Sequence, residues 1–241
     1  MTLDDILASL FPKGHDVKTD RGLVHGSGAL AGGRRAVVIG VADRTPVGVD
    51  EAIHLSGWVL DAVERGGDGP ILVLVNSDSQ RMSKRDELLG LNEFLAHLGK
   101  CLIYADMHGH HTVGLLYGHT AAGAFIATAL ATRSLVALAG AEPEVMDLPS
   151  MSRVTKLPID VLKEKAKFTP VFAPGLENLA QTGAVLATWD DKVPLADQLQ
   201  TLLDRTRDDG DRRDRLGEVR MGRLKAADIA ERVYDLALRS A

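Results

Sequence analysis

Apolar runs alternate with helix-like stretches as far as Gly140, and this alternation restricts the fold more than any other feature. The runs are short and uncharged, which is typical of strands buried on both faces of a sheet. Because strand and helix recur at a spacing of roughly 30 residues, the strands are expected to run parallel, with helices crossing over between them. The sequence therefore predicts an α/β fold. The predicted strands are AVVIGVA from Ala36, ILVLV from Ile71, LIYA between Cys101 and Asp106, and LVALA between Ser134 and Gly140.

Glycine pairs, capping residues and helical periodicity set the boundaries of the predicted elements. Leu23 to Asp43 is typical of a β-hairpin whose turn contains Gly32-Gly33, since glycine adopts the positive φ angles of tight turns. Ser83 followed by Asp86 indicates a helix start, and spaced leucines continue one amphipathic helix through Leu98. We also predict helices at Asp4 to Phe11, Asp50 to Glu64, Ala121 to Ala131 and Pro158 to Phe168. A turn is predicted at Pro170 to Pro174, and no clear strand is predicted beyond Ile159. A last amphipathic helix is predicted after the charged segment Asp204 to Arg223.

Composition indicates one sizeable globular domain. The chain has 241 residues, of which 45% are hydrophobic and 25% charged. We predict a single domain over residues 1–200, with residues 201–241 as a charged helical extension of it. The net charge of -5 gives no reason to expect nucleic acid or an anionic membrane as a partner. Cys101 is the single cysteine and the first residues include acids rather than a basic leader, so we expect a cytoplasmic protein.

The stretch GLLYGHTAAGAF, residues 114–125, contains unusually little side-chain bulk. Gly114, Gly118 and Gly123 bracket alanines at a predicted helix start, where a core helix normally carries leucine or isoleucine. The first amides of a helix have no intrahelical acceptor, so small residues there would let an anionic oxygen reach them. Close packing of the helix on a strand uses glycine and alanine equally well. Both explanations remain open at this point.

Two loops leave neighbouring predicted strands, Asn76 to Met82 after ILVLV and Met107 to Gly123 after CLIYA. If the strands are parallel, both loops lie at one edge of the sheet, where open α/β folds bind their ligands. Arg81, Lys84 and Arg85, beside the first loop, either contact a phosphate or lie on a solvated helical turn. The edge formed by these two loops is the candidate functional site.

Histidines cluster in the second loop, at His108, His110, His111 and His119. The pattern H-x-H-H matches no common zinc-ligand spacing and no cysteine lies nearby, so we predict no metal site. His119, at the predicted helix start, is a candidate for proton transfer or for orienting a ligand, with packing or capping as the alternative. The chain also lacks the phosphate-loop and dinucleotide motifs, and Ser27 lacks the leading glycine of a nucleophile elbow.

Several longer segments resemble the gamma subunit of biotin-independent malonate decarboxylase. They are SQRMSKRDELLGLNEFLAHLGKC (79–101), GLLYGHTAAGAFIATALA (114–131), MDLPSMSRVTKLP (146–158) and PVFAPGLENLAQTG (170–183). The hairpin GSGALAGGRRAVVIGVAD is similar to the start of acyl-CoA carboxyltransferase subunits, to which that gamma subunit is related. The resemblance covers most of residues 1 to 200 and implies a crotonase-like (ClpP/crotonase) fold, a spiral of β-β-α repeats.

The same resemblance implies a reaction and partners. A homologous beta subunit would pair with this chain in a heterodimer or larger assembly. The complex would convert a malonyl thioester on an acyl carrier protein into the acetyl thioester and CO2. The CoA-like prosthetic arm, phosphoribosyl-dephospho-CoA, would belong to the carrier, and this chain would bind no cofactor directly. No biotin-attachment motif is present, in agreement with a biotin-independent system.

Matching positions give the candidate site residues. Gly118 to Gly123 match the helix start against which the biotin-dependent relatives hold biotin, and within it Gly118, His119, Thr120 and Ala121 are the catalytic candidates, acting through main-chain donors. The substrate-binding candidates are Ser77, Ser79, Gln80, Tyr117 and Gly123. The chain departs from the relatives at Asn76-Ser77-Asp78-Ser79-Gln80, where they favour D-T-x-G-Q, and at Ala122-Gly123-Ala124, where they favour Ser-Gly-Gly.

These departures keep two other functions open. One is a non-catalytic subunit that shapes the pocket and docks the carrier protein. The other is a subunit of an acyl-CoA carboxyltransferase, acting with a biotin carrier.

Overall fold

A mostly parallel sheet carries the core of the first part of the chain. The computed structural model describes residues 1–167, 174–205 and 211–240. Its strands are β1 (Lys18–Asp20), β2 (Leu23–Ala29), β3 (Arg35–Val47), β4 (Ile71–Gln80), β5 (Thr112–Leu116), β6 (His119–Ala121), β7 (Ser134–Leu138), β8 (Glu142–Glu144) and β9 (Ala187–Trp189). Within the described ranges, a seven-stranded sheet has the order β1-β2-β3-β4-β5-β7-β9, and β6 pairs with β8 alone.

The helices fall into two groups, in line with the two compact units into which the described chain divides. One unit comprises Met1–Val145 and Ala187–Arg207, the other Met146–Leu186 and Asp208–Ala241. The predicted boundary at residue 200 stays a prediction. The helices of the first unit are α1 (Leu3–Leu10), α2 (Val49–Arg65), α3 (Lys84–Leu89), α4 (Leu91–Met107), α5 (Ala122–Phe125) with a π-turn (Ile126–Leu130), and α9 (Leu195–Arg205). Those of the second unit are α6 (Leu148–Thr155), α7 (Ile159–Ala166), α8 (Leu176–Gln181), α10 (Arg213–Val219) and α11 (Ala226–Ser240).

The predicted hairpin and parallel crossovers are confirmed. β2 and β3 pair antiparallel, and the turn between them contains Gly33 at φ +85°. From β3 onward each strand of the large sheet pairs parallel with its neighbour. Helix α2 and the helices between β4 and β5 cross over between these strands, as the spacing of strand and helix predicted.

The predicted strand between Cys101 and Asp106 is wrong, since this run belongs to helix α4. The reason lies in its periodicity: Leu98, Cys101, Leu102 and Ala105 are buried, while Ile103 and Tyr104 are 53% and 45% exposed. That is one face of a helix and not a strand buried on both sides. The strand at this point of the sheet is β5, all of whose residues are buried.

Two predicted helices change form. The helix predicted from Ser83 through Leu98 is broken at Gly90, which has the left-handed φ of +83°. Ser83 caps its first part, as predicted, by accepting a hydrogen bond from the Asp86 amide. The helix predicted at Ala121 to Ala131 begins one residue later as the short α5 and continues as the π-turn.

All regular secondary structure in the described residues of the second unit is helical. Arg220 holds several segments of this unit together, because its guanidinium donates to the carbonyls of Ala180, Val185 and Leu186 at 2.7–2.8 Å. The predicted final amphipathic helix is confirmed as α11, and the helix predicted from Pro158 as α7. Phe168 and most of the predicted turn at Pro170 to Pro174 lie outside the described residues. The expectation of no strand beyond Ile159 is wrong, because β9 lines the edge of the large sheet.

None of the helices in the described ranges combines the length and the apolar character that crossing a membrane requires.

Candidate functional site

The candidate site lies where β4 and β5 end side by side. The two strands pair parallel up to Val75 and Leu116, and the Tyr117 amide then donates to the Val75 carbonyl at 3.1 Å. Beyond this point β4 continues to Gln80, and the chain after β5 enters β6. The predicted meeting of the two segments at one sheet edge is therefore confirmed, although the second segment follows β5 and not the Cys101 run.

Behind the site, a buried hydrogen bond joins the two segments. Ser77 and Thr120 have no exposed surface, and their hydroxyl oxygens lie 2.7 Å apart. Each hydroxyl satisfies the other in a place where neither meets solvent. The structure thus gives these two candidate residues a role in holding β4 against β6.

The glycines of the small-residue stretch admit neighbouring side chains. A Cβ at Gly118 would lie 2.3 Å from the Asn76 amide oxygen, and one at Gly114 would lie 2.8 Å from the Thr132 hydroxyl. Both distances are below van der Waals contact, so a side chain at either position would require its neighbour to shift. At Gly114 and Gly118 the structure therefore favours the packing explanation.

Residues 119–121 form a strand, which corrects the prediction that Gly118 to Ala121 open a helix. β6 pairs parallel with β8, with His119 opposite Glu142 and Ala121 opposite Glu144, and the Gly118 carbonyl accepts from the Glu142 amide at 3.0 Å. The helix begins at Ala122, whose φ of +48° is unusual for a residue other than glycine. Gly118 and its neighbours are thus the approach to the helix and not its first turn.

The first turn of α5 is capped by a side chain from β4. The Gly123 amide donates to Oε1 of Gln80 at 2.9 Å. A Cβ at Gly123 would lie 3.0 Å from Cδ1 of Leu95, so the glycine also allows α4 to approach. Two predicted substrate-binding residues, Gln80 and Gly123, are hence brought into direct contact.

The remaining candidates lie around this contact. His119 is half-buried, with Nε2 3.8 Å from Oδ1 of the exposed Asp78, too far for a hydrogen bond. Burial, with a smaller contribution from Asp43, raises the pKa of the Tyr117 phenol well above its usual value, so the hydroxyl stays neutral. Ser79 donates to the Gln80 carbonyl at 3.1 Å.

Ion pairs support the site from α2. Arg81 pairs with Glu51 at 2.6 Å, and Glu51 also accepts from the Gly48 amide at 2.9 Å. Arg85 makes two hydrogen bonds to Asp50, of 2.7 and 3.0 Å. Both arginines are thus engaged within the protein. Sequence reasoning missed Glu51; its position three residues after Gly48 at a helix start is the pattern that could have found it.

Asp86, which the sequence pattern predicts only as part of a helix cap, is also a buried carboxylate. Its carboxylate is 1% exposed; Oδ1 accepts from Arg85 at 3.2 Å, while Oδ2 has no hydrogen-bond partner among the described residues. The buried carboxylate lies beside Gly48, where a Cβ would approach Oδ2 to 2.7 Å. The glycine at the start of α2 therefore leaves space for Asp86.

The other histidines of the cluster lie apart from His119, at the opposite edge of the sheet. His110 donates from Nδ1 to the Gly69 carbonyl at 2.9 Å, and His108 donates to the Tyr104 carbonyl at 2.8 Å at the end of α4. His111 shares a 2.9 Å hydrogen bond with Ser134, and burial, helped by Arg133, lowers its pKa to about 4. The four histidines, although close in sequence, therefore do not form one site in the structure.

Comparison with solved structures identifies the class to which this architecture belongs. The hetero-tetramer of Pseudomonas malonate decarboxylase in complex with coenzyme A is similar with a TM-score of 0.78 at 23% identity, over 98% of each chain. The transcarboxylase 12S structure has a TM-score of 0.68 at 14% identity, over 84% of this chain and 41% of that one. The fold is that of the crotonase-like carboxyltransferases, as the resemblance implied.

Sequence comparison gives the family. The family model for the malonate decarboxylase gamma subunit, MdcE, matches residues 42–237, and the chain belongs to this family. The malonyl-S-ACP:biotin-protein carboxyltransferase MADD of Malonomonas rubra is 29% identical over 148 residues, or 58% of this chain and 51% of that protein. The chain thus spans about half the length of this curated relative.

Proposed function

We propose that this chain acts in the cytoplasm as the gamma subunit of a malonyl-thioester decarboxylase, together with a homologous beta subunit. Membership of the gamma-subunit family supports this, as does the hetero-tetrameric Pseudomonas relative. The name of the Malonomonas relative includes malonyl-S-ACP, which supports a carrier-bound substrate. The CoA-like arm of that carrier would bring the malonyl group to the site. The product would be the acetyl thioester and CO2.

One structural observation carries the proposal: the two segments that match the family meet at one sheet edge. The Gln80–Gly123 hydrogen bond joins them at the surface, and the Ser77–Thr120 bond joins them behind it. The half-buried groups left at this edge are Tyr117, Gly118 and His119. They form the wall that we propose this subunit contributes to the substrate pocket.

The chemistry requires that charge move from one end of the malonyl group to the other. When the bond to the carboxyl carbon breaks, its electron pair remains as an enolate on the thioester and CO2 leaves uncharged. Hydrogen-bond donors at the thioester oxygen lower the barrier, each by about 2.7–4 kcal/mol. Donors at the carboxylate bind and orient the ground state instead. We propose that Gly118 to Ala121 face the carboxylate and that the partner holds the thioester.

The enolate carbon must then receive a proton. We propose His119 as its donor, because its imidazole is half-buried at this edge and an imidazolium can release a proton near neutral pH. The proton passes to carbon, the ring becomes neutral, and water restores its proton in the next cycle.

Reconstitution tests this function. The chain is co-expressed with a homologous beta subunit and the complex is purified. CO2 release is then measured from malonyl thioester loaded on the carrier protein, with each subunit alone as control. Release by the complex supports the proposal; a stable complex that releases none contradicts it.

Two observations favour other functions. The Gly123 amide is already occupied and Ser77 with Thr120 is buried, which favours a subunit that only shapes the pocket. This alternative predicts full activity after any substitution of His119 that preserves assembly. The likeness to a biotin-protein carboxyltransferase favours carboxyl transfer. That alternative predicts activity that depends on an added biotin carrier and is abolished by avidin.

A further inference from the structure

The last residue of β4, Gln80, holds its side-chain amide at the candidate site in one defined orientation. Oε1 accepts the Gly123 amide hydrogen at 2.9 Å. A primary amide has one acceptor oxygen and an amino group with two hydrogens to donate. Because the Gly123 amide is a donor, only the oxygen can face α5. The amino group must therefore point away from the helix.

The amino group of Gln80 has little to bind within the described part of the chain. Its contact is the Met82 sulfur at 3.9 Å, a weak acceptor on a side chain that is 79% exposed. Gln80 itself is only half-buried. The amino group therefore keeps one N–H with no contact among the described residues and a second with only this weak one, both at the point where the two family-matching segments meet.

The backbone under Gln80 is held firmly, so the orientation is preorganised. Gln80 pairs with Val47 of β3, and the next amide, that of Arg81, donates to the Val47 carbonyl at 2.9 Å. The Arg81 side chain is fixed in turn by its ion pair with Glu51, which is 14% exposed. A donor held in this way needs no rearrangement when an anion arrives.

We propose that the Gln80 amino group binds the free carboxylate of the malonyl group and so distinguishes malonyl from acetyl thioester. This rests on the proposed function and adds a side-chain donor beside Gly118 to Ala121, which we propose face the same carboxylate. A neutral amide suits the task, since a carboxylate held by an unpaired arginine would be strongly stabilised in the ground state and would leave as CO2 more slowly. The nearby arginines, Arg81 and Arg85, are already paired with Glu51 and Asp50.

The decisive variant is Gln80→Glu. A glutamate keeps an oxygen for the Gly123 amide, so the cap remains, but it loses both N–H donors and adds a negative charge. Gln80→Met, of similar length, loses the cap and the donors together. Gln181→Glu makes the same chemical change at an exposed position at the end of α8 and serves as the matched control.

The experiment measures binding of malonate to the purified heterodimer by calorimetry, alongside the melting temperature of each variant. We expect Gln80→Glu to weaken malonate binding by about 10- to 100-fold with an unchanged melting temperature, because a hydrogen bond to a charged group is lost. Where the complex turns over, the same change should appear in KM more than in kcat. Gln80→Met should also bind weakly, and Gln181→Glu should bind as the wild type does.

A purely capping role makes the opposite prediction, that Gln80→Glu binds malonate normally and only Gln80→Met is impaired. That outcome, or a wild-type heterodimer that does not bind malonate, overturns the inference. Binding is measured without turnover, so failure of this contact and failure of the proposed decarboxylase give different results. A complex that binds malonate through Gln80 but releases no CO2 would contradict the decarboxylase and leave this contact standing.

Discussion

The two edges of the parallel sheet both carry polar side chains, but they use them differently. At the amino edge, His110 bonds to Gly69, His111 to Ser134, and Arg133 pairs with Asp106 at 3.0 Å. At the carboxyl edge, the Gln80 amino group and the His119 imidazole have no strong partner within the described residues. Polar groups at the first edge hold loops together, while those at the second keep hydrogen-bonding capacity for a ligand. The two edges therefore differ in whether their polar side chains have hydrogen-bond partners, and not in how many histidines they carry.

Removing one histidine from each edge tests this difference between the edges most directly, and it has the largest expected effect. In the reconstituted complex, His119→Ala should lower kcat by about 10²–10⁴-fold, the usual loss when a general acid is removed. His108→Ala, an exposed histidine at the end of α4, should leave kcat unchanged. Both variants are checked for assembly with the beta subunit by size-exclusion chromatography. Equal activities of the two variants would mean that His119 only packs.

The close approach at Gly118 gives the next largest effect. Gly118→Ala should lower the free energy of unfolding by about 1–3 kcal/mol, because its Cβ would overlap the Asn76 side chain. Urea denaturation of the chain measures this. Adding Asn76→Ala should restore part of the loss, since it removes the two atoms nearest to the new methyl group.

Gly57 supplies the control for that experiment. It lies inside α2, and a Cβ there would meet nothing within 4 Å. Gly57→Ala should therefore raise the free energy of unfolding, by up to about 1 kcal/mol. A destabilisation of similar size at both glycines would show that the packing at Gly118 is not special.

A double-mutant cycle tests the buried Ser77–Thr120 hydrogen bond behind the site. Ser77→Ala and Thr120→Val should each cost about 1–3 kcal/mol, because each leaves the other hydroxyl buried without a partner. The double variant should cost less than the sum of the two. Additive losses in urea denaturation would contradict the 2.7 Å hydrogen bond as the source of the effect.

The smallest effect is a pH dependence at the amino edge. The pKa of His111 is lowered from 6.5 to about 4 in the folded chain, so the unfolded chain binds the proton more readily. Its contribution to stability is complete above pH 6.5 and is lost as the pH falls toward 4. Between pH 7 and 5 the loss should be about 1–2 kcal/mol. His111→Gln should reduce this pH dependence in urea denaturation; an unchanged slope would place the titration elsewhere.

The sequence predicted the fold class well because the repeat of apolar runs and helices depends on local pattern. It failed at the Cys101 run, since a short apolar stretch suits a strand or a buried helix equally until Ile103 and Tyr104 are seen to face solvent. It located the site edge but not its donors. The Gln80–Gly123 and Arg81–Glu51 contacts join residues 43 and 30 positions apart, and only the sheet register brings them together.

The alanine that turns the chain from β6 into α5 has a consequence for how rigid this corner is. Ala122 holds a left-handed backbone angle, φ +48°, which costs an L-residue with a side chain roughly 1–2 kcal/mol. Such an angle persists only where the surrounding structure leaves the chain no alternative. The direction in which the following peptide group points is therefore dictated by tertiary constraint on both sides of the bend. A glycine here would ease the strain and let the corner pivot.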